Sequence, residues 1–234
     1  MIGPILGGIP RLKFLADKVS ITSDGNSLVR GGLVAAGQTL QAQLAALAPI
    51  SGAMTIANLG IDGQRTYQMT SNATDVNAAH VASKGNLLLG WEGLNDILGN
   101  GSTPQQAWNN VVAYVAARRA TNPTNPWRII WINCLPIYNG DLLTQEQIDA
   151  ENLKLEQFNS LVAANWRAAG ITAVVDLRQI GSVFRVADYQ RATLKALAPY
   201  FVVESNQKLV HLNAAGYTEV AKMVAETLKR LPAR

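Results

Sequence analysis

The chain has 234 residues, of which 48% are hydrophobic and only 15% charged. A disordered chain is poor in apolar residues and rich in charge, so disorder is excluded as the dominant state. No apolar run approaches the roughly 18 residues of a membrane-spanning helix. The 20 Lys and Arg against 16 Asp and Glu leave a net charge of +4, and these basic residues are scattered rather than gathered into the stripe of a nucleic-acid binder. Neither nucleic acid nor a membrane span is therefore expected.

In chain order, residues 1–18 come first. They open on Met1-Ile2-Gly3-Pro4-Ile5-Leu6-Gly7-Gly8, which is apolar but lacks a basic leader and a continuous hydrophobic run. They read as an arm or linker, not a signal peptide, and the compartment is left open. Short apolar runs follow at residues 19–23, 54–59, 86–91, 128–134, 172–177 and 200–203. Several are continuous rather than alternating, as expected of parallel strands buried on both faces. Helical patterns fill the gaps at residues 32–47, 73–83, 105–120, 145–169 and 214–231. Thr103-Pro104 opens the third with an N-cap and a proline at the first helical position. Thr144-Gln145-Glu146-Gln147 opens the fourth with a capping box, and Gly170 ends it. Strand–helix alternation of this kind predicts an α/β domain, with a central parallel sheet and helices on both faces, over residues 19–234. Right-handed crossovers then gather the strand C-termini on one edge, where such folds carry their sites.

The single cysteine, Cys134, excludes an internal disulfide and a multi-cysteine metal centre. It reads as a buried strand residue. With two histidines in the chain, only a carboxylate site could hold a metal, and neither metal nor cofactor is expected. Of the histidines, His80 lies within a helical pattern and reads as structural.

Four segments fall at or after strand ends. Asp24-Gly25-Asn26-Ser27-Leu28 follows the first strand, where a Ser at a tight turn before a helix suits a nucleophile. Its plain reading is a helix cap. Asn58-Leu59-Gly60-Ile61-Asp62-Gly63 follows the second, where a glycine lets a backbone N–H approach a ligand. Glu92-Gly93-Leu94-Asn95-Asp96 follows the third, where the Asn95 amide could stabilise an oxyanion. His211-Leu212-Asn213-Ala214-Ala215-Gly216-Tyr217 opens the last helix, where a general base could reach the sheet edge. Asp176 reads as a strand-end or cap residue.

Taken together, these segments resemble the SGNH hydrolase superfamily, the GDSL-type esterases and lipases, whose four blocks are led by a Ser, a Gly, an Asn and a His. The resemblance runs from about Val19 to Leu231. Gly25-Asn26-Ser27-Leu28 is similar to the nucleophile block, with Asn26 in place of the usual Asp. Gly93-Leu94-Asn95-Asp96 matches the Gly-x-Asn-Asp block without change. The resemblance implies a flavodoxin-like three-layer α/β/α sandwich. It implies Ser27 as nucleophile and His211 as base. The backbone N–H groups of Ser27 and Gly60 and the side-chain amide of Asn95 then form the oxyanion hole.

One position departs from the family pattern. The family usually carries an Asp three residues before its His, and here Lys208 stands there. An ammonium cannot accept the imidazole N–H. A backbone carbonyl near Lys208 is the favoured substitute, giving a Ser–His dyad, with Glu204 and the more distant Asp188 as alternative acids. The expected function is hydrolysis of a small O-acyl ester, acetyl above all, on a carbohydrate. The sugar follows from the family's habits and from five tryptophans, with Trp91 expected to line the site and Trp131 and Trp166 to pack in the core. The alternatives are a carbohydrate-binding module without activity on the same fold, such as part of a cell-surface or viral tail assembly, and an acyltransferase using the same Ser and His.

Overall fold

The computed structural model describes residues 19–47, 55–71, 73–178, 184 and 197–231. The arm at residues 1–18 and Asp188 lie outside them.

Five strands form one parallel sheet: β1 (Val19–Gly25), β2 (Thr55–Asn58), β3 (Gly85–Trp91), β4 (Arg128–Ile132) and β6 (Ala173–Val175), in the order β2-β1-β3-β4-β6. Every residue of β1 and β4 is buried. Two-sided burial is why these stretches show no clean alternation of apolar and polar residues. A separate antiparallel pair joins β5 (Tyr138–Asn139) to β7 (Lys208–Leu209). Neither half of this pair was expected, because two residues carry no periodic pattern.

The helices given bounds within the described residues are α1 (Ser27–Arg30), α2 (Leu40–Ala46), α3 (Thr66–Ser71), α4 (Ala73–Ala78), α5 (Pro104–Thr121), α6 (Gln145–Asn165) and α7 (Ala214–Lys229). α2 packs on α7 across one face of the sheet, while α5 packs against both α3 and α6 on the other. This is the three-layer α/β/α sandwich.

The long helices begin where their caps predict. Thr103 and Thr144 each close a capping box, with Gln106 and Gln147. The pattern at residues 32–47 breaks up. Gly31, in the left-handed region at φ 77°, ends α1, a 3-10 turn covers Ala36–Gln38, and Thr39 caps a fresh start for α2. The helix expected over residues 73–83 stops at Ala78, because the Asn86 side chain binds the Val81 N–H and carbonyl and holds that stretch as a loop. The strand expected at residues 200–203 is a lone bridge between Phe201 and Leu212.

Cys134 is buried just beyond β4, and its backbone N–H donates to Asn159 Oδ1. His80 stacks edge-on against Trp127 and its Nε2 meets the Asn125 carbonyl oxygen at 2.9 Å, which fits a structural role. Asp176, just past β6, pairs with Arg178 at 3.0 Å. No helix among the described residues is long and apolar enough to cross a membrane.

Candidate active site

The ends of β1, β2 and β3 meet at one edge of the sheet. β1 runs into Gly25, and Asn26 then caps α1 by accepting the Leu28 N–H at 2.8 Å. The cap holds Ser27 at the first position of the helix, where unpaired N–H groups favour negative charge. From the opposite end of the chain, the buried Tyr217 hydroxyl of α7 donates to the Leu28 carbonyl at 2.9 Å, tying that helix to the serine turn.

His211 sits just before α7. Its Nε2 is 2.8 Å from Ser27 Oγ, and its Nδ1 is 2.8 Å from Glu204 Oε1. A carboxylate only accepts, so Nδ1 carries the ring hydrogen and Nε2 is left to accept from the serine hydroxyl. The carbonyl favoured as the orienting group is thus not the partner: a carboxylate is. The backbone explains how Glu204 reaches the ring. Val202 N–H donates to the His211 carbonyl, and Glu204 N–H donates to the Lys208 carbonyl, so residues 201–212 fold back on themselves. The reversal passes through Ser205–Gln207, with Gln207 at φ 49° and its side chain fastened to Asp141 Oδ1 at 2.8 Å. Lys208 follows in β7, with Nζ 4.0 Å from Glu204 Oε2. Asp188 falls outside the described residues.

Asn95 opens a π-helical turn, Asn95–Gly99, after β3. Its backbone N–H donates to Glu92 Oε1 at 2.8 Å, and its Nδ2 donates to the Gln64 carbonyl at 3.0 Å. The amide carries two N–H groups, so one anchors the side chain while the other is available to a ligand. The neighbouring Asp96 is fully buried and accepts from the Thr66 N–H and hydroxyl and from Asn110 Nδ2. It fixes α3 against the turn. The sequence places Glu92 and Asp96 in the Asn95 segment but gives neither a role of its own, since the Asp96 partners, Thr66 and Asn110, lie 30 and 14 positions away in the chain.

The second block lands differently from its expected reading. Gly60 lies against α1, where an added Cβ would stand 2.3 Å from the Arg30 nitrogen, and its N–H donates to Asn58 Oδ1. Gly63, three residues on, lines the cleft with Ser27, Asn95 and His211. Gly63 has φ 68°, and nothing stands within 4 Å of the place of a Cβ. The glycine at the cleft is therefore Gly63. Its signal was in the quoted segment, as the second glycine of Gly60-Ile61-Asp62-Gly63.

The cleft has a volume of about 300 Å³, with Leu33 and Val210 on its apolar side. Arg30 and Asp62 form an ion pair at its rim, each about half exposed. Trp91 is absent from this lining. It is 1% exposed, and its indole N–H donates to the Asn133 carbonyl. Burial on both faces of β3 turns it into the core. None of the five tryptophans lines the cleft: Trp131 is core as expected, and Trp166, half-buried, packs against the core with the Arg167 guanidinium over its ring.

Beneath the site, the Asp24 carboxyl is buried and accepts the Tyr114 hydroxyl at 2.6 Å. Burial pushes it up to about 6, against the opposing hydrogen bond from Tyr114 and the Arg118 charge.

The model of the GDSL-like lipase/acylhydrolase family matches residues 20–218. The chain belongs to this family. That makes it a hydrolase acting on esters. Solved structures agree in fold. A lipolytic G-D-S-L family protein from Veillonella parvula shares 19% identity at a TM-score of 0.65, covering 91% of this chain and 100% of that one. An acetyl-xylooligosaccharide esterase variant from Geobacillus shares 14% at 0.61, covering 94% and 99%. A carbohydrate acetylesterase from Sinorhizobium meliloti shares 13% at 0.61, covering 89% and 97%. A search of curated protein sequences found no match.

Proposed function

We propose that this hydrolase removes a small acyl group, acetyl in the first instance, from a carbohydrate, using Ser27, His211 and Glu204. The carrying observation is the unbroken relay from Glu204 Oε1 through the two imidazole nitrogens to Ser27 Oγ, each contact at 2.8 Å. In the first half-reaction Ser27 Oγ bonds to the acyl carbon while its proton passes to His211 Nε2. The imidazolium that forms is stabilised by Glu204. The carbonyl oxygen becomes an oxyanion, received by the Asn95 amide and the backbone N–H groups of Ser27 and Gly63. His211 then returns the proton to the departing alcohol oxygen as the C–O bond breaks. In the second half-reaction water attacks the acyl-serine by the same proton path and leaves as the carboxylic acid.

The small cleft supports a short acyl group, since about 300 Å³ is at the lower end of ligand pockets. The carbohydrate side is supported by the printed names of structural neighbours, an acetyl-xylooligosaccharide esterase and a carbohydrate acetylesterase. The tryptophans no longer contribute to it. Lys208 at the usual acid position speaks for the non-catalytic alternative, and Glu204, 2.8 Å from His211 Nδ1, speaks against it by supplying an acid from another position.

The test is hydrolysis of p-nitrophenyl acetate and of acetylated xylo-oligosaccharides by wild type and by Ser27→Ala. Turnover abolished by Ser27→Ala supports the reading. An inactive wild type, or turnover that survives the substitution, overturns it. Release of acetate rather than its transfer to an added alcohol separates hydrolysis from acyl transfer.

A further inference from the structure

Glu92 is a fully buried acid beside the site. It is 0% exposed, and one of its oxygens, Oε2, has no hydrogen-bond partner among the described residues. Its other oxygen holds the backbone N–H of Asn95. Asn26, 1% exposed, has the complementary problem: Oδ1 caps α1 through Leu28, while Nδ2 has no partner among the described residues. Gly25 and Trp91 are register partners at the ends of β1 and β3, so the residues that follow them, Asn26 and Glu92, are neighbours at the sheet edge. The Asn26 amide lies close enough to draw the Glu92 carboxyl down, although burial first, and the Asp96 charge next, push it well above the usual carboxylate range. The Cys134 thiol lies on the same side, 3.8 Å from the Glu92 backbone oxygen.

We infer that Glu92 is a positioning residue that couples the serine turn to the oxyanion turn, through Asn26 on one side and Asn95 on the other, and that Asn26 is an amide because its buried neighbour is an acid. The functional half of this inference rests on the esterase reading; the pairing itself does not. A buried polar group is costly unless matched. One donor set against one acceptor closes the contact, whereas two amide nitrogens facing each other would leave both unmet. The bridge fixes the separation of Ser27 from the Asn95 amide, and misplacement of about 1 Å at a reacting centre costs on the order of 100-fold in rate.

The chemistry permits an exchange. In Glu92→Gln the new amide carbonyl can still accept from Asn95, but its NH₂ meets the Asn26 NH₂. Adding Asn26→Asp restores an acceptor there, and the second carboxylate oxygen still accepts the Leu28 N–H. The experiment measures kcat, KM and melting temperature for wild type, Glu92→Gln, Asn26→Asp and the double variant, with p-nitrophenyl acetate. Glu92→Gln is expected to lower kcat about 10- to 100-fold with KM within a few-fold, and the double variant to recover most of that loss. Its melting temperature is expected to exceed that of Glu92→Gln. A Glu92→Gln protein with wild-type kcat overturns the inference, as does a double variant no better than Glu92→Gln in both readouts. If Glu92→Gln does not fold, a folded double variant supports the pairing and an unfolded one overturns it. If wild type proves inactive on every ester, the function falls, while the melting temperatures still decide the pairing.

Discussion

Glu204 precedes His211 by seven positions in the chain and lies 2.8 Å from its Nδ1. Both side chains are 17% exposed, so the pair is partly withdrawn from water while the serine side stays open to the cleft. Replacing Glu204 by Gln keeps the shape but removes the charge and can present the wrong tautomer. We expect kcat to fall toward the roughly 10⁴-fold loss that follows neutralisation of a triad acid. A change of only a few-fold in steady-state rates would show that something else orients the ring.

Lys208 contrasts with its neighbour. Its ammonium is 41% exposed and 4.0 Å from Glu204, and such pairs contribute about 0–1 kcal/mol. Lys208→Ala should therefore keep kcat within about fivefold. A loss approaching that of Glu204→Gln would assign the lysine a larger part than its geometry supports.

Asn95 is held by the Gln64 carbonyl with one N–H to spare. Asn95→Ala removes the oxyanion donor and should cost about 10²- to 10³-fold in kcat, with KM little changed. Steady-state kinetics at saturating ester decide this. An equal rise in KM at constant kcat would mean that the amide binds ground state and transition state alike.

The two glycines after β2 should respond in opposite ways. A Cβ at Gly60 would sit 2.3 Å from a backbone nitrogen of α1, which cannot yield without moving the serine turn. Gly60→Ala should lower the melting temperature severely. Gly63→Ala meets open space and bears only the cost of a left-handed backbone, about 1–2 kcal/mol. Its protein should fold, with the rate reporting any shift of the peptide N–H. Equal thermal losses in both variants would contradict the assignment.

Asp24 makes stability depend on pH in an unusual direction. Its carboxyl is raised from 3.8 to about 6, so the folded state favours the protonated form. The stabilisation is fully present below about pH 4 and is lost as pH rises through about 6. Asp24→Asn keeps an acceptor for Tyr114 and carries no charge. Relative to wild type, it should therefore gain about 2 kcal/mol between pH 4 and pH 7. Denaturant melts at several pH values measure this, and a difference that stays flat with pH would refute it.

The order of the four site segments was legible because each follows a strand end, and the parallel sheet sends those ends to one edge. Caps such as Thr103 and Thr144 were legible because their partners lie three residues away. Glu204 could be named but not chosen, since its approach to His211 depends on a reversal at Gln207 that is anchored to Asp141, far away in the chain. Gly60 and Gly63 look alike in sequence, and only the packing of α1 against the first separates them. Trp91 was misread because nearness in sequence to Asn95 says nothing about which side of β3 an indole enters.

The folded-back segment at residues 201–212 carries both the base and its acid, one on each leg. Backbone bonds from Val202 to His211 and from Glu204 to Lys208 make the segment a single strap. The acid and the base therefore share one short piece of backbone, and in the relay only the contact from His211 to Ser27 spans two distant parts of the chain, 184 residues apart.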